Sequence, residues 1–222
     1  FSCCVRGRLI AFWLRPALLV VVRIDPPPPT RKTDPILYKL DTGSCLLRIY
    51  RPEPHGQTAT GFRKVGPIER FDHHQEGGEY SILYAGFTLS CCLVECFGDT
   101  GVIDQRGRRL AFLQTRRPLV LLDLRHKGAM RAGSVAALSS CADRTLSQEW
   151  SRHFHATYAQ IDGIKYSNAH NEEPALALYE RAQDALTCLS EMPLHHPSLR
   201  SRILQAAQDH AMMAPPSVKK RR

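Results

Sequence analysis

A chain of 222 residues with 43% hydrophobic content is long enough for one ordinary core plus tails, which excludes a globally disordered protein. Its formal charge of +9 is unevenly placed: residues 1–34 carry six Lys/Arg against two Asp/Glu, residues 191–222 again six against two, and residues 35–190 eighteen against seventeen. The nearly neutral middle argues against a dedicated nucleic-acid surface, which needs cations clustered on one folded face. The eight cysteines, with Cys3–Cys4 and Cys91–Cys92 adjacent, show no paired secretory spacing and read as reduced thiols of a cytoplasmic protein.

The first segment, Leu9–Val22, is apolar but is interrupted by Arg15 and Pro16. It is too short and too broken for a membrane span and has no small-residue cleavage site, so it reads as a loosely attached extension. The prolines 26–29 read as a polyproline linker, and the domain is expected to begin near residue 35. A division into residues 1–34 (extension and linker), 35–190 (catalytic domain) and 191–222 (helix and basic tail) follows. Cys45–Arg51 reads as a strand. Residues 52–79, rich in Gly, Pro, His and charge, read as a long loop of the kind that often carries function.

Ile82, Leu83 and Tyr84 open a short strand, followed by a turn at Ala85-Gly86 and a helix on which Glu95 is the only charge. Leu110–Thr115 and Leu119–Leu124 read as strands, the second apolar throughout and so expected to lie centrally. Eight basic residues between Arg106 and Arg131 face only Asp123 in that stretch. Asp143–Tyr158 reads as an amphipathic helix carrying Trp150 and Phe154 at i, i+4. A strand over Ile161–Tyr166, a polar loop over Ser167–Pro174 and a further strand over Ala175–Tyr179 come next. Ser198–Met212 reads as a terminal helix before a basic tail. Strands with few intervening helices imply an α+β fold, a single domain of mixed or antiparallel sheets with flanking helices.

A carboxylate set in apolar sequence is costly unless it is paired, hydrogen-bonded or used. The nearest cations to Glu95 are Arg48, Arg51, Arg63 and Arg70, either as ion-pair partners or as members of a site. Arg48 lies inside an apolar strand, where a solvated arginine is unexpected. Arginine forks suit phosphate oxygens, and one carboxylate suits an oxocarbenium-like transition state when the leaving group needs no acid; nicotinamide on NAD is such a group. Cys91, Cys92 and Cys96, with the histidine pairs, lack metal-ligand spacing, so packing is expected and no metal. No phosphate-loop motif and no nucleophile motif is present.

The ordered blocks LLRIYR, ERFD, ILYAGFTLSCCLVE, PLVLLDL, QEWSRHFH, IDGIKYSNAHN and ALALYERA, spanning roughly residues 37–187, resemble the RES-domain proteins, toxins of bacterial toxin–antitoxin pairs. The resemblance implies a fold similar to ADP-ribosyltransferases and cleavage of NAD at the nicotinamide–ribose bond by hydrolysis or phosphorolysis. NAD is then the substrate and inorganic phosphate an optional co-substrate, with no resident cofactor. The implied partner is a cognate antitoxin with a helix-turn-helix part; neither direct nucleic-acid binding nor a membrane role is implied, and a homodimer within the complex is compatible. Arg48 and Arg70 match the motif arginines, Tyr84 the tyrosine and Glu95 the glutamate. The motif serine falls at Asn168, with Ser167 one position early, so either residue is open as its counterpart. Arg48 and Arg70 would bind the diphosphate, Tyr84 would position the nicotinamide end, and Glu95 would hold the ribose. Transfer of ADP-ribose to a macromolecule, or a non-catalytic nucleic-acid module, are the alternatives.

Overall fold

The computed structural model describes residues 23–54, 56–64, 66–73 and 80–215. The apolar segment Leu9–Val22 and the basic tail beyond Pro215 lie outside the described residues. The elements in chain order are β1 (Leu37–Leu40), β2 (Cys45–Tyr50), β3 (Ile82–Gly86), α1 (Leu89–Phe97), β4 (Arg109–Thr115), β5 (Leu119–Asp123), α2 (Gly128–Arg131), α3 (Arg144–Thr157), β6 (Gly163–Ser167), β7 (Pro174–Tyr179), β8 (Leu186–Pro193) and α4 (Arg200–Asp209). They form one mixed α/β domain around an eight-stranded sheet in the order β1-β5-β6-β7-β3-β2-β4-β8. Only β5 and β6 run parallel; every other neighbouring pair is antiparallel.

One face of the β3–β7–β6–β5 half carries an aromatic core. Phe71, Trp150, Phe154, Tyr166 and Tyr179 are all at or below 1% exposure there, and α3 covers them. The expected Trp150–Phe154 pair forms, with ring centroids 5.3 Å apart. α3 begins where Asp143 accepts hydrogen bonds from the backbone amides of Thr145 and Leu146, an N-cap that satisfies two otherwise orphaned donors. A leucine-rich core built on Leu46, Leu83, Leu113, Leu121 and Leu178 forms a second cluster. A third joins α1 to α4 through Leu93, Phe97, Ile203 and Ala207.

Two strands are absent from the sequence reading: β1 and β8. They are the two edges of the sheet. Only Leu186 of the eight β8 residues is buried and three are polar, so neither apolar alternation nor a buried run marks them. β8 runs across residue 190, and α4 packs on α1. β5 is not at the centre but one strand in from an edge. Its apolar run reflects cover on both faces. The prolines near the start lie against the domain: Trp150 Nε1 donates to the Asp25 carbonyl at 2.9 Å. Among the described residues no helix is long and apolar enough to cross a membrane.

Candidate active site

The sheet is weakest where β2 meets β3. These strands are paired only through Leu47 opposite Gly86, while β2 pairs with β4 over six positions and β3 with β7 over five. The strands diverge from that contact, and a cleft of about 430 Å³ opens beside Arg48 and Ile49 of β2 and Ile82 and Tyr84 of β3. That volume is within the ordinary range for small-molecule sites. α1 closes one side. It can approach because residue 86 is glycine: a Cβ there would stand 3.0 Å from the Cys92 sulfur and 3.1 Å from that of Cys91. Thr88 caps α1 by accepting from the Cys91 amide at 2.9 Å.

Of the sequence-derived site residues, Arg48, Arg70, Tyr84 and Glu95 line this one cleft. The long loop contributes further walls through Gln57, Arg63, Ile68 and Glu69. Ser167 and Asn168 do not line it, although their neighbours Ala169 and His170 do. Ser167 ends β6 opposite Pro174. Asn168 is 1% exposed and organises the loop: its Oδ1 accepts from the His170 amide at 2.8 Å, and its Nδ2 donates to the Cys91 carbonyl at 3.4 Å.

Glu95 opens onto solvent through the cleft mouth while protein surrounds it on its other sides. That desolvation raises its carboxyl pKa; the hydroxyl of Tyr166 and the charges of Arg70 and His170 pull the other way. Its position in the last turn of α1 adds a helix-dipole end that disfavours an anion. Tyr166, 1% exposed, donates to Glu95 Oε1 at 2.8 Å and leaves Oε2 for a ligand. Among the described residues no ion pair joins Arg48 to Glu95. Arg48 instead donates from one terminal nitrogen to the carbonyls of Ala59 (3.2 Å) and Gly61 (2.7 Å). It is 6% exposed, and burial lowers its pKa to about 10. Arg70 donates to the Cys141 carbonyl and projects its charge onto Glu95.

A buried carboxylate holds these parts together. Asp72, 2% exposed, takes both oxygens to Arg63 (2.9 and 2.7 Å) and accepts from the amides of Ile68 and Glu69, each at 2.9 Å. It also accepts from the Tyr84 hydroxyl at 3.0 Å, and that hydroxyl accepts from the Phe71 amide at 3.0 Å. Tyr84 is thus fixed at its polar end, with its ring on the cleft. At the rim, Arg144 pairs with Glu69 at 3.3 Å and with Asp99 at 3.6 Å, and His170 stands 3.3 Å from Asp99.

The cysteines beneath the cleft are packed thiols. Cys92 lies 3.2 Å from the Leu47 carbonyl, and burial pushes Cys91 and Cys96 each up to about 12. Among the described residues no group of three His, Cys, Asp or Glu is placed to hold a metal. Several arginines of the run between Arg106 and Arg131 are ion-paired: Arg109 with Glu191, Arg117 with Asp162 and Asp184, Arg125 with Asp123 and Arg131 with Asp34. Sequence reasoning missed Tyr166 as the partner of Glu95, Asp72 as the hub, and Arg108, Arg144 and His170 as cleft residues. The blocks quoted for the resemblance contain Asp72, Tyr166 and His170, so the signal was present without a role attached.

Fold and site define a mixed α/β protein with an arginine-lined cleft onto which the solvent-open carboxylate of Glu95 faces, a constellation suited to a phosphate-bearing ligand. The RES domain model matches residues 46–200, and the chain belongs to the RES-domain family. Probable toxin y4kH of Sinorhizobium fredii (strain NBRC 101917 / NGR234) is 29% identical over 112 residues, which is 50% of this chain and 87% of that protein. A chain in the crystal structure of the M. tuberculosis MbcT–MbcA toxin–antitoxin complex is similar in fold, with a TM-score of 0.55 and 15% identity over 74% of this chain and 90% of that one.

Proposed function

We propose that this protein is the toxin of a toxin–antitoxin pair and that it destroys NAD by cleaving the bond between nicotinamide and ribose. The observation that carries the reading is the convergence of Glu95, Tyr84, Arg48 and Arg70 on one cleft, with Glu95 oriented by Tyr166. Arg48 and Arg70 hold the diphosphate; among the described residues neither guanidinium is neutralised by a carboxylate salt bridge. The Tyr84 ring sets the nicotinamide end. Glu95 Oε2 accepts from a ribose hydroxyl, and its charge stabilises the oxocarbenium that develops at the anomeric carbon. The carbon–nitrogen bond breaks with its electron pair passing to the pyridinium nitrogen, so nicotinamide leaves neutral and no general acid is needed. An oxygen of water or of inorganic phosphate then bonds to the anomeric carbon, with a proton released when water is the acceptor.

Asn168 belongs to this reading as a residue that holds the loop bearing His170, and Ser167 as the end of β6. A cognate antitoxin carrying a helix-turn-helix part would cover the cleft mouth in the cytoplasm. Purified protein is incubated with NAD, with and without phosphate. Release of free nicotinamide, with no ADP-ribose attached to protein or nucleic acid, supports the reading. Attachment to a macromolecule replaces it with ADP-ribosyl transfer, and full NAD loss by a Glu95→Ala variant removes the assigned chemistry.

A further inference from the structure

Arg108 is the cleft cation that the proposed reaction leaves unused. It precedes β4, and its guanidinium stacks over the Phe97 ring at 4.7 Å from the centroid. Phe97 is 3% exposed at the end of α1, so the stack fixes the plane of the guanidinium and leaves its edge donors for another group. Among the described residues Arg108 has no carboxylate partner, and its Nε is buried without any hydrogen bond. A buried donor without a partner is costly, and an acceptor supplied by water, an ion or a ligand would satisfy it; Arg109 Nε is in the same state, so the stacked and carboxylate-free position of Arg108 in the cleft is what sets it apart. The other rim and wall cations differ: Arg63 is spent on Asp72, and Arg144 on Glu69 and Asp99.

Arg108 also has company. Arg48 and Arg108 line the same cleft, and both charges bear on the Cys96 thiol, one residue after Glu95. Two guanidinium groups, neither paired to a carboxylate among the described residues, thus line one cleft with Glu95, and the charges of Glu95 and Glu69 bear on the same thiol. Asp99, the acidic group next to this region, is engaged by His170 and Arg144. Two planar forks lining one cleft suit a tetrahedral oxyanion, whose oxygens accept from several directions at once.

We propose that Arg108 and Arg48 form an oxyanion site beside Glu95 that takes a phosphate group, either free phosphate serving as the acceptor or a phosphate of the dinucleotide. Its place in the reaction rests on the NAD-cleavage reading; the binding site itself does not. In the first case a phosphate oxygen bonds to the anomeric carbon as the carbon–nitrogen bond breaks, giving nicotinamide and a ribose 1-phosphate ester, with nothing oxidised or reduced.

The test uses the full chain and two variants, Arg108→Gln and Arg108→Lys, with Arg106→Gln as a surface control; Arg106 pairs only with Asp104 outside the cleft. Affinities for inorganic phosphate and for ADP-ribose are measured by calorimetry. Arg108→Gln is expected to weaken one or both roughly tenfold or more. Arg108→Lys, which keeps the charge but loses the fork, falls between, and the control matches wild type. Kinetics then separate the sources. A raised KM for phosphate with KM for NAD unchanged assigns the acceptor. A raised KM for NAD in phosphate-free buffer assigns the dinucleotide. Wild-type affinities for both probes in folded Arg108→Gln overturn the proposal. A wild-type protein that leaves NAD intact sinks the proposed function alone, since the calorimetry still decides the site.

Discussion

Asp72 is the residue whose loss should do most damage for its size. It is buried, pairs with an Arg63 that is itself only 16% exposed at the side chain, and accepts from two backbone amides and a tyrosine hydroxyl. Asp72→Ala removes the countercharge and strands those donors together. Breaking a buried pair by deleting one partner costs about 3–5 kcal/mol. At roughly 2–4 °C per kcal/mol for a domain of this size, the melting temperature should fall by about 6–20 °C. Asp72→Asn should be milder, because its carbonyl oxygen can keep the amides of Ile68 and Glu69 while its NH2 faces the Arg63 guanidinium. Adding Arg63→Met to Asp72→Asn should restore part of the loss by removing the unpaired cation. Thermal unfolding of the four proteins checks the ranking. NAD consumption, measured well below each midpoint, should also fall, because Tyr84 loses its acceptor and the segment carrying Arg70 loses its anchor. An Asp72→Ala protein that melts within about 2 °C of wild type would refute the assignment of Asp72 as the hub.

Tyr166→Phe removes one hydroxyl, which donates to Glu95. A hydrogen bond to a charged group is worth about 1.5–3 kcal/mol, so the melting temperature should fall by about 3–12 °C, and kcat/KM should fall as well because Glu95 loses the donor that orients it. The same donor lowers the Glu95 pKa, so the acid limb of the pH–rate profile should move to higher pH in this variant; an unmoved limb contradicts the contact. Glu95→Gln should cut NAD cleavage by about 10²-fold or more. Glu95 has a raised pKa in the folded state, so its contribution to stability is present below the unfolded-state value and lost as pH rises through the folded one. Glu95→Gln should therefore melt higher than wild type near neutral pH and lose that advantage in acid, as melting curves across pH will show. Ser167→Ala should leave NAD turnover within about twofold, whereas Asn168→Ala should cost about 1–3 kcal/mol in denaturant titrations, since it orphans the buried contacts of the 168–170 loop.

What could be read along the chain was whatever is decided locally. The α3 start is written in Asp143, β2 and β3 in short apolar runs, and the oddity of Arg48 and Glu95 in their apolar surroundings. What could not be read was decided by pairing at a distance. β1 and β8 carry weak patterns because an edge strand has one hydrogen-bonding neighbour and its outward residues need not be apolar. The run from Arg106 to Arg131 holds eight basic residues and a single acidic one. Its arginines instead find carboxylates as far away in sequence as Asp34 and Glu191, and local charge counting cannot see such partners.

The site follows the same division. Glu95 stands out by isolation, but the group that orients it is 71 residues away on β6, and the two meet only because β6, β7 and β3 are consecutive in the sheet while α1 leaves the end of β3. The cleft itself depends on a pairing that stops after one residue pair, Leu47 with Gly86. No property of either strand alone dictates that stop. The close approach of the Cys91 and Cys92 sulfurs to Gly86 places α1 at that contact. A Cβ at position 86 would crowd the Cys91 and Cys92 side chains, which would have to give by a few tenths of an ångström beneath the cleft that holds Glu95. The glycine in the Leu-Tyr-Ala-Gly block is thus a constraint on the carboxylate nine residues later as much as on the turn itself.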